Sequence, residues 1–288
     1  MFGFRDCGFA DDRCRNTFWR LGLLGLLAVA PGCSGCGRSP APGTFSLEHL
    51  EVKYESSGVE DPETGVQLDR LTTPLTFVDQ NGVAWKAPAG MLTDGASIPD
   101  WALSITGRPN TSNVFRAAIV HDAYCQASSK ASDQLYSRPW KATHQMFYDG
   151  CIACGAAPSR AVMWWAAVRL GGPRWAEDGR LLESNLSDVA FTALDLIREI
   201  IAGGQDAVSP AEIDSQIHGW EQMAATVHEH ESDADSSLEE DNFEAAENSI
   251  AKAMEMLESA RGRDSKSEPV LAALEGYVQT RYAKRLQA

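Results

Sequence analysis

Leu71-Thr72-Thr73-Pro74-Leu75-Thr76-Phe77-Val78-Asp79-Gln80-Asn81-Gly82-Val83-Ala84-Trp85-Lys86-Ala87 decides the fold class. Two apolar runs, Leu71 to Val78 and Val83 to Ala87, flank Asp79-Gln80-Asn81-Gly82. Asn and Gly tolerate the positive φ that a tight reversal needs, so the stretch predicts a β-hairpin. A further strand end, Met91-Leu92-Thr93, breaks at Asp94-Gly95, and Leu47 to Glu55 alternates weakly. Together these segments predict a small antiparallel sheet over roughly residues 47–93.

Helices follow the sheet. Asn113 to Gln126 has capping residues at its start, from Asn110 to Asn113. Pro139 to Cys154 has proline in its first turn and Gly155 at its stop. Ser159 to Leu170 ends at Gly171-Gly172-Pro173. Within it Trp164 and Trp165 are sequence neighbours, so one of them is expected at a surface. After Glu177 the texture changes. Leu181 to Ile201, Pro210 to His230, Leu238 to Ala260 and Pro269 to Leu286 read as helices, with breaks at Gly203-Gly204, Ser232 to Ser236 and Arg261 to Ser267. Asn242 to Ala260 and Pro269 to Arg285 suggest a helical hairpin. The fold class is therefore α+β: a small antiparallel sheet, a three-helix core (the domain spanning 47–176) and an acidic all-helical region over 177–288.

Charge separates these parts. The formal net charge is −15. Gly203 to Ala260 holds fifteen acidic residues and one lysine, which accounts for −14 of it. The acidity thus belongs to the C-terminal helices, and it excludes a nucleic-acid partner, which needs a basic surface. Acidic helices of this kind suit a protein partner.

The N-terminal 33 residues read as an export signal. Arg13, Arg15 and Arg20 precede an apolar run from Leu21 to Ala30, then Pro31-Gly32-Cys33. The run is too short for a membrane span. Gly32-Cys33 resembles the lipobox of bacterial lipoproteins, which implies lipidation of Cys33, a membrane anchor and an envelope location on the periplasmic or surface side. Residues 34–46, rich in Gly, Pro and Ser, read as a tether. Cys36, Cys125, Cys151 and Cys154 would then remain in an oxidising compartment, and a disulfide between Cys125 and Cys151 or Cys154 is expected. Cys151-Ile152-Ala153-Cys154 stands alone, without the second pair that zinc binding would want.

The chemistry-bearing residues fall in three short segments: Thr93-Asp94-Gly95-Ala96-Ser97-Ile98-Pro99, Ala117-Ala118-Ile119-Val120-His121-Asp122 and His144-Gln145-Met146-Phe147. Each sets ionisable groups in apolar or tightly turned surroundings, where unpartnered burial is costly. His121 and Asp122 diverge by about 100° on a helix and can serve different partners, a water for the imidazole and a cation for the carboxylate. Asp94 ends a strand in a compact turn and is a second candidate ligand for a hard cation such as Ca²⁺. Trp140, His144, Phe147, Cys151 and Cys154 share one helix face, so His144 can approach His121 or Asp122. No Ser-based triad, phosphate loop or dinucleotide fingerprint occurs.

Thr93 to Pro99, Ala117 to Asp122, and Phe147 with Ala166-Ala167-Val168-Arg169-Leu170-Gly171-Gly172 resemble a bacterial and phage family of unknown function, the one numbered 1353. Its pattern runs TD-x-AS-x-P, AA-x-x-HD and AD-x-x-F. The resemblance covers about residues 70–175. The sequence departs from it at Thr143-His144, where the family has Ala-Asp. If that aspartate is a ligand or an orienter, its replacement removes activity or changes the metal preference. More faintly, Asp94-Gly95, His121-Asp122 and Phe147-Tyr148-Asp149 resemble, in order, the calcium loop, the His-Asp pair and the orienting-carboxylate helix of secreted phospholipase A2.

Two functions are in competition. In one, a metal-assisted hydrolase cleaves an ester in lipid or cell-wall material. His121 is its base, Asp94 and Asp122 hold the cation, and His144 orients or ligates. In the other, the chain is a non-catalytic envelope protein whose His-Asp cluster is a buried polar staple. The histidine at position 144 favours the second.

Overall fold

The computed structural model describes residues 43–45, 54–61, 65, 67–95, 98–107, 111–126, 133–203, 208–240 and 242–283. The export signal, Cys33, Cys36, Ala96, Ser97 and most of the expected tether and first strand lie outside them.

The hairpin forms where the sequence places it. Strand β4 (Leu75–Val78) pairs antiparallel with β5 (Ala84–Ala87), Leu75 opposite Ala87 and Val78 opposite Ala84. Asp79 organises the reversal. Its Oδ1 accepts from the Asn81 and Val83 amides at 2.8 and 3.0 Å, and its Oδ2 accepts from Trp85 Nε1 at 2.9 Å. Gly82 supplies the positive φ of +77°.

The single sheet expected over 47–93 is instead two three-stranded sheets. One has the order β1 (Thr44–Phe45), β4, β5; the other has β2 (Tyr54–Glu60), β3 (Gln67–Leu71), β6 (Leu92–Thr93). Leu71 and Leu75 are separated by Thr72-Thr73-Pro74, and a proline there cannot continue a ladder. The run read as one strand therefore breaks and feeds both sheets.

Four helices complete the first half: α1 (Leu103–Thr106), α2 (Thr111–Cys125), α3 (Trp140–Ala153) and α4 (Pro158–Gly171). Helix α2 sits between two apolar clusters. Ile119, Val120, Ala123 and Tyr124 join Phe77, Trp85 and Met146 under the hairpin, while Val114, Ala117 and Ala118 join the larger cluster with α3 and α4. The α2–α3 approach is close because Gly150 faces Ala117. A Cβ on Gly150 would stand 2.9 Å from the Ala117 Cβ.

Trp164 and Trp165 are both buried, at 5 and 3% exposure, against the expectation that one reaches a surface. Every residue of α4 from Ala161 to Leu170 is buried. A helix that is apolar all round is one enclosed on all sides, so neighbouring tryptophans can both be interior.

A short ribbon, β7 (Arg174–Trp175) with β8 (Leu181–Leu182), precedes α5 (Ala190–Gly203), so the helix expected from Leu181 begins nine residues later. Next come α6 (Pro210–Glu239), α7 (Phe243–Arg261) and α8 (Glu268–Ala283). Ser209 and Glu212 form a capping box at the start of α6. The break expected at Ser232 to Ser236 is absent, and α6 runs through it. Its stripe Val227, Glu231, Ala234 stays buried, and the Tyr282 hydroxyl of α8 donates to the Glu231 carbonyl at 3.1 Å. Packing against α8 thus outweighs the low helix propensity of the Ser and Asp residues. Helices α7 and α8, the expected hairpin, pack on one another, and α6 packs on α7 as well.

The larger apolar cluster runs from Ile98 to Tyr282 and so includes the helices after residue 177. Arg169 of α4, 1% exposed, donates Nε to Asp214 at 2.7 Å and Nη1 to Glu221 at 2.8 Å, both on α6. Arg174 shares Glu221 at 2.7 Å. No described helix is long and apolar enough to cross a membrane.

The glycine contact yields a prediction. Gly150→Val is expected to destabilise the fold by about 1–3 kcal/mol through overpacking against Ala117, measured by urea denaturation.

Candidate functional site

The site is built on the last turn of α2 and the first half of α3. The register set by Gly150 against Ala117 brings the end of α2 level with His144 on α3. His121 Nε2 and His144 Nδ1 are 2.9 Å apart, and the rings are tilted with centroids at 5.1 Å. His144 Nδ1 is taken by His121, so the Pro173 backbone carbonyl beside this ring is left to Nε2, which makes no hydrogen bond of ordinary distance and angle. A carbonyl oxygen disfavours a facing lone pair, so this nitrogen carries the proton of the neutral ring. His144 Nδ1 is then an acceptor, His121 Nε2–H donates to it, and His121 Nδ1 is left with its lone pair. The Cys125 Sγ lies 3.3 Å from that Nδ1.

Asp122 has a hydrogen-bond partner of its own. Thr93 Oγ1 donates to Asp122 Oδ2 at 2.6 Å, and the same hydroxyl accepts from the Gly95 amide at 3.0 Å. Gly95 has φ +79°, and a Cβ there would come within 2.4 Å of the Phe115 ring. Glycine is therefore required both by the backbone and by the space. The turn after β6 is thus tied to α2 through one threonine.

All of these groups are enclosed. His121, Asp122 and His144 are 1, 0 and 0% exposed. Burial pushes the His121 pKa down from 6.5 to about 3. Burial also pushes His144 well below 6.5, and His121, Arg169 and Arg174 push it the same way, while the Pro173 carbonyl opposes them. Asp122 is raised well above 3.8 by burial and then by the Asp94 carboxylate, against the Thr93 hydrogen bond. Cys125 is raised by burial, Asp122 and Asp94. Both imidazoles are thus neutral, and the acids stay protonated over an extended range.

The site residues expected from sequence meet: His144 approaches His121, one of the two partners its helix face allows, while Asp122 turns to Thr93. Asp149, the position matching the phospholipase orienter, accepts from Gln145 at 3.1 Å; burial raises its pKa to about 6. Asp94 is half-buried and acts on Asp122 through charge. The expected disulfide is not formed: Cys125, Cys151 and Cys154 are free and buried. Cys154 lies by Arg116 and Ala117 at the opposite end of the α2–α3 contact. Eight residues of helix place Cys125 about 12 Å further on, beyond the ~7 Å Cα separation a disulfide spans.

Other parts of the surroundings were not singled out in the sequence. Arg169 and Arg174 lie over the Trp140 ring at 4.8 and 5.1 Å, and Trp140 edges His144 at 5.6 Å between centroids. The Trp140–His144 contact follows from their shared helix face, whereas the two arginines come from about thirty residues away and leave no local signal. Cys125 was legible: it follows His121 by four residues and so shares its helix face.

His121, Asp122 and Cys125 offer an imidazole nitrogen, a carboxylate oxygen and a thiol sulfur that all lie within 4.8 Å of one another.

Comparison with known proteins fits this placement. Residues 69–168 match the family described as "Protein of unknown function (DUF1353)". The matched residues include Thr93, Asp94, His121, Asp122, Cys125 and His144, and the match ends one residue before Arg169. The chain is 39% identical to Uncharacterized protein y4iH of Sinorhizobium fredii over 155 residues, which are 53% of this chain and 62% of that protein. It is 32% identical to Uncharacterized protein y4jT of the same organism over 115 residues, 40% of this chain and 32% of that one. The chain thus spans less than two thirds of either relative. No solved structure matches.

Two predictions follow from the burial. The His121 ring should stay neutral from pH 7 down to pH 4, seen as flat ring nitrogen shifts in NMR. The unfolded chain takes a proton on His121 near pH 6.5 and the native chain only near 3. Its contribution to stability is therefore complete above pH 6.5 and declines as pH falls toward 3. Asp122 works in the opposite direction: its native carboxyl keeps its proton above the unfolded value of 3.8, so stability falls as pH rises through that window. Separately, Thr93→Val removes the donor to a buried acid and should cost about 1–3 kcal/mol in thermal or urea denaturation.

Proposed function

We propose that this chain is a non-catalytic bacterial envelope lipoprotein. In this reading Cys33 carries the membrane anchor, the DUF1353 domain is held together by the His121–His144–Asp122 staple, and the acidic helices α6 and α7 meet a protein partner. The observation that carries the non-catalytic part is the closure of His121. The ring is 1% exposed, and both its nitrogens face protein groups, His144 on one side and Cys125 on the other. A general base must reach the proton it removes directly or through one water. The ring presents almost no surface to solvent. The order of charged region, apolar run and Gly32-Cys33 supports the anchor, and the bacterial source of the relatives agrees with it.

The second reading is a metal-assisted ester hydrolase in which His121 is the base and Asp94 and Asp122 hold the cation. The half-buried Asp94, whose charge reaches the fully buried Asp122, is the observation in its favour.

One experiment separates the two. Full-length protein expressed in a bacterium with labelled palmitate should incorporate label, and Cys33→Ala should not. The purified protein should leave ester and phospholipid substrates intact with or without Ca²⁺. Turnover that depends on His121 would overturn the non-catalytic reading, and absence of label would overturn the lipid anchor.

A further inference from the structure

The geometry points to a buried zinc-type centre formed by His121 Nδ1, the Asp122 carboxylate and the Cys125 thiolate. This reading does not depend on the envelope assignment. Three lines of geometry carry it.

The first is spacing. His121 and Cys125 are four residues apart on α2, one turn above the other, which is the arrangement by which a helix presents two ligands to one ion. Their ligand atoms are already 3.3 Å apart. A tetrahedral zinc with ordinary Zn–N and Zn–S bonds separates two such ligands by about 3.5 Å. An Asp122 carboxylate oxygen lies within 4.8 Å of the other two ligand groups.

The second is the hydrogen-bond chain behind the imidazole. A metal-bound histidine commonly donates its other ring N–H to a fixed acceptor, which sets the tautomer and aims the ligand nitrogen. His121 does this toward His144 at 2.9 Å, and His144 in turn faces the Pro173 carbonyl. The chain leaves the lone pair on Nδ1, the nitrogen beside Cys125. In this role His144 is a positioning residue rather than a ligand.

The third is the donor set. One nitrogen, one oxygen and one sulfur suit zinc, which takes all three, and do not suit Ca²⁺, which takes oxygen alone. The thiol thus separates this centre from the hard-cation pair Asp94 and Asp122. Charge balances as well. A thiolate and one carboxylate together carry two negative charges, which match the ion. The closure described above marks the centre as structural, with the ion entering as the chain folds.

The test uses the full-length chain. Purified protein should hold about one zinc per chain. After removal of zinc, titration with Co²⁺ should produce the near-ultraviolet band of thiolate-to-cobalt charge transfer, saturating at one equivalent. Cys125→Ser should abolish the band. A variant in which Cys125 is the sole cysteine, the other six being alanine, should keep it, which removes any reliance on Cys125→Ser folding. His144→Gln should retain the band with weaker Co²⁺ affinity, by about 10–100-fold. Protein without zinc and without a Co²⁺ band, or a band that disappears in the sole-cysteine variant, overturns the proposal.

Discussion

A hydrogen bond between two neutral imidazoles, closed off from water, is the constraint around which the rest of this structure is arranged. Burial favours the neutral form of both rings, and for His144 the neighbouring His121 and then Arg169 and Arg174 push the same way. The pair exists because α2 and α3 pack glycine against alanine and arrive level with one another. Thr93 then ties the turn after β6 to the adjacent Asp122, so a strand, a turn and two helices meet at one polar point inside an apolar surround. A polar cluster of this kind fixes the register of its elements, because a shift of any one leaves a buried group without its partner.

Much of this was legible in the sequence. The Asn81-Gly82 reversal, the three helices of the first half and the nearness of His121 to His144 all follow from local patterns: turn residues, helix stops and residues sharing one face. The α+β class follows from the hairpin standing ahead of the helices. What failed did so where distant packing overrides local preference. Pro74 divided a strand between two sheets. Ser232 to Ser236 stayed helical because α8 covers that side of α6. Trp164 and Trp165 could both turn inward because α4 is enclosed all round.

The partners of the site residues depend on packing that the sequence does not display. Cysteine counting in an oxidising compartment suggested a disulfide, yet the position of Cys125 on α2 placed its sulfur against an imidazole instead. The phospholipase-like order of motifs suggested a carboxylate behind the histidine, yet position 144 puts a second histidine there, and Asp149 turns to Gln145. Sequence spacing shows which residues share a face. It does not show how much water reaches that face, and access decides between chemistry and architecture here.

Arg169 and Arg174 make the acidic helices more than an appendage. Both guanidinium groups are buried beside Trp140, and their counter-charges, Asp214 and Glu221, come from α6, some forty to fifty residues downstream. The matched stretch, residues 69–168, ends one residue short of a guanidinium whose counter-charges lie outside it. Removing one partner of a buried ion pair costs far more than removing an exposed one. In this fold the acidic helices act as the counter-ion of the part that precedes them.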